Sequence, residues 1–204
     1  GGKNSNEYVG WGPLSASTKD RSSSVMGQRY RPPVADNDDD SLVGTGPDET
    51  FRRAVDTVLA DFVATRRPRF DPLGPELTAF ADAALAFVAG GKRLRPQFCR
   101  AGWLVAGGDD GDPAMISAAA SLEWLQASAL VHDDLMDGSD TRRGRPSIHR
   151  AFEGQHRDDG RRGDAAWFGR SAAVLMGDLM LSWCTEMLAA AVAALAIGGA
   201  SAVV

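Results

Sequence analysis

LEWLQASALVHDDLMD, running from Leu122 to Asp137, is the stretch on which the fold turns. Its apolar residues recur at three- and four-residue steps and nothing in it alternates as a strand would, so it is expected to be helical. Gln126, Asp133 and Asp137 stand at i, i+7 and i+11. At about 3.6 residues per turn they share one stripe, which Asp134 flanks. Leu122, Leu125, Ala129, His132 and Met136 are expected to form a core-facing seam on the other side. Asp112-Pro113 offers an N-cap followed by proline at the first helical position, which sets the start of this long helix.

Carboxylates one turn apart repel, so Asp133 and Asp137 need a compensating cation. Arginines or a metal must supply it. Oxygen-only ligation suits Mg²⁺, which keeps most of its waters and shares its other positions with phosphate oxygens; diphosphate is the natural guest. Two basic loops bracket the stripe. Lys92-Arg93-Leu94-Arg95-Pro96 follows a Gly90-Gly91 break, and Thr141-Arg142-Arg143-Gly144-Arg145-Pro146 lies just past the acidic end. Neutralisation of a helix C-terminus accounts for one such loop but not for both, and arginine and lysine are the side chains that clamp phosphate.

Helical periodicity extends outward from this centre. Phe51, Val55, Val58, Leu59, Phe62 and Val63 predict one amphipathic helix, and Leu77, Phe80, Ala81, Ala84, Leu85 and Val88 a second that stops at Gly90-Gly91. A shorter helix is expected from after Pro96 to about Ala106. A last long one is expected from about Asp164 through Phe168, Ala172, Leu175, Met176, Leu179, Trp183 and Met187. The class is therefore all-α. Residues 1–48, rich in Ser, Gly, Pro and Asp, are expected to be a disordered tail. Residues 187–204 carry no charge, but their Ala and Gly content suits a buried helix end followed by an Ala/Gly-rich tail better than a membrane span, with Gly198-Gly199 expected to interrupt the helix.

Composition narrows the function classes. The chain has 204 residues, 22 basic and 27 acidic side chains, a formal charge of -5 and a 44% apolar share, which fit one globular domain and exclude a general grip on nucleic acid. Cys99 and Cys184 lie far apart with no partner at metal-ligand spacing, so a reducing, cytoplasmic location is expected. The chain starts at Gly1 with no apolar leader, and is expected to have been processed, cloned or cut. His132 reads as a packed histidine, and His149 and His156 have no ligand spacing. Asp158-Asp159 reads as a solvated charge cluster in a loop, and no role follows for Asp178.

GGKRLRP (Gly90 to Pro96), LEWLQASALVHDDLMD and TRRGRPSIH (Thr141 to His149), at these spacings, resemble the first half of a trans-isoprenyl diphosphate synthase, the polyprenyl synthetase family. The resemblance covers roughly residues 75 to 190 and is similar in flavour to actinobacterial geranylgeranyl or longer-chain enzymes. It implies a Mg²⁺-dependent prenyltransferase that joins isopentenyl diphosphate to an allylic diphosphate, a partial isoprenoid-synthase bundle over residues 49–190, and a homodimer in the full-length family. By motif, Asp133, Asp134 and Asp137 match the aspartates that hold Mg²⁺ on the allylic diphosphate. Lys92, Arg95, Gln126 and Arg143 match the contacts to isopentenyl diphosphate, and Arg142 the contact to the allylic diphosphate. The small Ser128 and Ala129, before the aspartates, would leave open the pocket that receives the growing chain, with a floor near Leu125 and Leu122; that implies a geranylgeranyl or longer product.

The family's second aspartate-rich motif and Lys-Thr pair do not occur in this sequence. The chain is accordingly expected to be weakly active or inactive by itself, and to expose apolar faces. Two alternatives stand beside the synthase: a non-catalytic diphosphate-binding module or subunit of a heteromeric enzyme, and a class I terpene cyclase. The GGKRLRP and paired-arginine blocks argue against the cyclase, which binds no isopentenyl diphosphate.

Overall fold

The structure, a computed structural model, describes residues 47–201, so the expected disordered tail over residues 1–48 lies outside the described residues apart from its last two. Helices dominate. In chain order they are α1 (Pro47–Ala64), α2 (Arg67–Phe70), α3 (Pro75–Val88), α4 (Leu94–Val105), α5 (Pro113–Met136), α6 (Ile148–Asp158) and α7 (Ala165–Ser201). The all-α class holds, with one small exception: β1 (Thr141–Arg142) and β2 (Arg145–Pro146) pair antiparallel around Arg143-Gly144.

Helix α5 begins as its sequence dictates. The Asp112 carboxylate accepts the N–H groups of Ala114 (2.8 Å) and Met115 (2.9 Å), and Pro113 occupies the first turn, where a missing N–H costs nothing. The helix then runs through the middle of the core. Trp124 is fully buried, its ring 4.9 Å from that of Trp183 on α7 in an edge-on contact at 73°, with Phe62 of α1 closing the cluster 5.8 Å from Trp183.

The buried face of α5 is not the one its large aliphatic residues suggest. Leu125 is 45% and Met136 85% exposed, Ala129 is exposed, and Leu122 and His132 are only half-buried. The residues that face the core are Ala120, Trp124, Ala127, Ser128, Val131 and Asp134, a stripe rotated by roughly a third of a turn. Small side chains explain this. Close to α5, helix α7 carries a glycine rather than a larger residue: a Cβ added at Gly177 would stand 2.3 Å from the His132 ring. His132 is a packed histidine, as expected, but wedged between two helices with Nε2 3.6 Å from the exposed Asp178.

Two boundaries also differ from expectation. Helix α4 starts two residues before Pro96, because proline is tolerated within a first turn. Helix α7 passes unbroken through Gly198 and Gly199 to Ser201. By length and composition, α5 and the Ala165–Ile197 part of α7 would be able to cross a membrane; both bury side chains in the core described above.

Helix α6, finally, was not expected, and its last residues, from Gly154 to Asp158, fall in a stretch expected to be loop. Its buried face is polar: His149, Glu153 and His156 are buried beside Ile148. Arg150 and Arg157 clasp Glu153 from i−3 and i+4, and hold its carboxyl below the usual range. Asp158 is thus the last residue of a helix rather than part of a loop. His149 Nδ1 lies 3.1 Å from the Ser147 hydroxyl, and burial, aided by Arg150, pushes the imidazole below its ordinary range. The folded state therefore binds that proton more weakly than the unfolded chain. Its stability is complete above about pH 6.5, the free imidazole value, and declines as pH falls from there towards the folded value. Urea midpoints taken from pH 7.5 down to 5 will fall more steeply in the native protein than in His149→Gln, and equal slopes would show that another group titrates.

Candidate functional site

Asp133 and Asp137 emerge at the C-terminal end of α5, one turn apart, both exposed. Asp134 does not join them. Its side chain is 2% exposed and its two oxygens accept from Arg142, Nε at 2.6 Å and Nη2 at 2.7 Å; Nη2 also lies 3.4 Å from Asp133. Asp134 thereby raises the Arg142 guanidinium above its usual range. Both Asp134 oxygens are committed to Arg142, so the expected role of this residue as a metal ligand has no support in the geometry.

Among the described residues, no three His, Cys, Asp or Glu side chains stand close enough to hold a metal ion by themselves. Asp133 and Asp137 nevertheless fit Mg²⁺. They offer hard, solvent-facing oxygens on one stripe, and such a cation would complete its shell with water or phosphate oxygens.

The cationic side of the site is more complete. A cavity of about 1810 Å³ lies among α3, the loop before α4, α5, the β1–β2 hairpin and α6, and its wall carries Lys92, Arg95, Gln126, Arg142, Arg143 and Arg145 together with the carboxylates of Glu76, Glu123, Asp158 and Asp159. The first five are the residues matched to diphosphate binding from sequence. No hydrogen bond or ion pair joins the side chain of Lys92, Arg95, Arg143 or Arg145 to a described residue, which leaves their donors available.

Backbone geometry sets this wall. Among the described residues the non-glycine positions with positive φ are Arg93 (50°) and Arg143 (53°), one in each basic loop. Arg143 and Gly144 (φ 73°) are the two central residues of a hairpin whose strands pair directly, the conformation of a type I′ turn. Asn or Gly takes such a place more easily; an Arg held there costs about 1–3 kcal/mol.

The residues matched to a chain-length pocket divide. Leu122, Leu125 and Ala129 line a second groove of about 450 Å³ with Arg95, Phe98 and Gln126. Ser128 does not; it is buried in the core. Sequence reasoning missed two residues. Arg145 matches no motif role, although it sits in the same cavity as Arg142, and Arg93 proves to be 4% exposed and paired with Asp56 and Glu123. An arginine spaced one residue beyond the hairpin turn was the only sequence signal for the first.

An acidic helix end beside a cationic cavity in a helical body defines an all-α isoprenoid-synthase fold. The chain belongs to the polyprenyl synthetase family, whose model matches residues 78–198. The geranylgeranyl pyrophosphate synthase 11 of Arabidopsis thaliana is 37% identical over 117 residues, 56% of this chain and 28% of that relative. The large subunit 1 of the heterodimeric geranylgeranyl pyrophosphate synthase of the same plant is 35% identical over 122 residues, 28% of its length. The crystal structure of a geranylgeranyl pyrophosphate synthase from Corynebacterium glutamicum, complexed with isoprenyl diphosphate and magnesium, superposes with a TM-score of 0.66 at 39% identity. It covers 72% of this chain, and this chain covers 42% of it. The chain thus spans well under half the length of the proteins it matches.

Proposed function

We propose that this chain supplies the diphosphate-binding part of a Mg²⁺-dependent trans-prenyltransferase that condenses isopentenyl diphosphate with an allylic diphosphate. The observation that carries the reading is the cavity wall, where Lys92, Arg95, Arg143 and Arg145 stand without ion partners among the described residues, next to Gln126 and Arg142, in a protein of net negative charge. Lys92, Arg95, Gln126 and Arg143 hold isopentenyl diphosphate, and Arg142 reaches the allylic diphosphate from its anchor on Asp134. Asp133 and Asp137 hold Mg²⁺, which when bound offsets the charge that builds on the leaving diphosphate. The protein's own contribution is to fix the two substrates in register, a proximity effect, and to meet the charge of both diphosphates with preorganised donors.

The groove lined by Leu122, Leu125 and Ala129 supports a long product, geranylgeranyl or beyond, because Ala129 adds almost no bulk to it. Exposed Leu175 (63%), Leu181 (45%) and Val192 (56%) on α7 support self-association, and the sequence a cytoplasmic setting.

Mg²⁺ with inorganic diphosphate will raise the thermal midpoint of the native protein, and Asp133→Asn combined with Asp137→Asn will erase that gain. An equal shift in the double variant would overturn the metal assignment.

A second reading has its own support. The sequence carries a single aspartate-rich motif, so this chain can bind diphosphate without turnover, as a module or as a subunit of a heteromeric synthase. Labelled isopentenyl diphosphate with an allylic primer separates the two: binding without product favours the module, and product favours the enzyme.

A further inference from the structure

Arg93 sits between Lys92 and Arg95 in the loop that forms one edge of the cavity, yet its guanidinium turns inward. The side chain is 2% exposed. Nε donates to Asp56 of α1 at 2.8 Å, Nη2 donates to the same carboxylate, and Nη1 donates to Glu123 of α5 at 2.8 Å. Glu123 lines the cavity, one helical turn before Gln126. The backbone is equally constrained. Arg93 adopts the left-handed conformation (φ 50°, ψ 39°), its carbonyl accepts the Gln97 N–H at 3.0 Å, and Gln97 Nε2 donates to the Lys92 carbonyl at 3.0 Å.

From this arrangement we infer that Arg93 is a positioning residue for diphosphate binding: it pins the Lys92–Arg95 edge to α1 and α5 and neutralises the Glu123 carboxylate, which would otherwise face an anionic guest. The inference rests on the diphosphate reading of the cavity. Packing alone does not call for a guanidinium in this place, since an apolar side chain of similar length would fill the space without the cost of burying charge. A fork that spans two helices and quenches a carboxylate on the cavity wall accounts for both the burial and the unfavourable backbone angle. Without it, Lys92 and Arg95 lose their fixed distance from Gln126, and a bare negative charge opposes the ligand.

Calorimetric titration of the protein with inorganic diphosphate in Mg²⁺ buffer tests this. Arg93→Met will weaken diphosphate binding by about tenfold or more, and adding Glu123→Gln will recover a large part of the loss, because the charge no longer needs quenching. A purely structural arginine would show no such recovery. Should Arg93→Met fail to fold by circular dichroism, Arg93→Lys compared with Arg93→Lys/Glu123→Gln carries the same contrast at smaller amplitude. Unchanged affinity in the Arg93 variants, or a loss that Glu123→Gln leaves in place, overturns this inference alone. No binding of diphosphate by the native protein overturns the functional reading together with it.

Discussion

Asp134→Ala will destabilise the protein by about 3 kcal/mol, whereas Asp137→Ala, three residues further along and fully at the surface, will change stability by less than about 0.5 kcal/mol. The difference follows from burial. Asp134 is 2% exposed and holds Arg142 through both oxygens, so removing it strands a guanidinium that is itself only 26% exposed. The partial exposure of Arg142 puts the expected cost at the lower end of the roughly 3–5 kcal/mol seen when one member of a buried pair is lost. Asp137 is exposed at the helix end, where water replaces whatever it touches. Urea denaturation of the two variants side by side decides the matter. Equal costs would mean that the two aspartates act alike and that Asp134 is not the anchor of Arg142.

Gly169→Ala will destabilise the protein by about 2 kcal/mol or more, against an intrinsic helix gain of about 1 kcal/mol for replacing glycine. An added Cβ would meet the carbonyl oxygen of His149 at 2.2 Å, and the Cβ and N of Glu153 at 3.0 Å. Two of those three obstacles are backbone, so no rotamer change relieves them. Helix α6 would have to move away from α7 as a body, carrying with it the buried His149 and Glu153. Gly154, on α6, is the matched control. A Cβ there meets nothing within 4 Å, and Gly154→Ala should leave stability unchanged or raise it by up to about 1 kcal/mol. In a protein of this size each kcal/mol moves the thermal midpoint by roughly 2–4 °C, so scanning calorimetry resolves the opposite signs.

The sequence was most informative where local chemistry and periodicity agree. The Asp112-Pro113 cap, the Gly90-Gly91 stop and the apolar faces of α1 and α3 could be read because each depends on residues a few positions apart. The cationic wall was legible too, since its residues lie in two short motifs that happen to converge on one cavity. What escaped depends on partners distant in the chain. The orientation of α5 is set by Trp124 packing on Trp183 and by small residues that admit α7, which outweigh the larger aliphatic area of Leu122, Leu125 and Met136. Helix α6 escaped because three of its four buried residues are polar, which leaves Ile148 and the half-buried Phe152 as a thin apolar signal. Its Arg150, Glu153 and Arg157 at helical spacing were the available sign. Helical phase already set Asp134 beside the stripe of Asp133 and Asp137, but its burial and its commitment to Arg142 depend on how α5 is turned and on a hairpin eight residues away.

Helix α7 is 37 residues long, about 55 Å at the usual rise of ~1.5 Å per residue. Its first part lies against α5 and α6, and Ala191 is the last buried side chain described along it. From Val192 to Ala196 the side chains are exposed or half-buried, so the helix there rests mainly on its backbone hydrogen bonds, and a short helical segment without burial is marginal in water. Opening of these last turns is then a local fluctuation that leaves the body of the protein folded. One continuous rod therefore contains two regimes of amide exchange: slow protons near Met176 and Met180, whose release requires the core to come apart, and fast ones past Ala191 that turn over while the rest of the molecule stays intact.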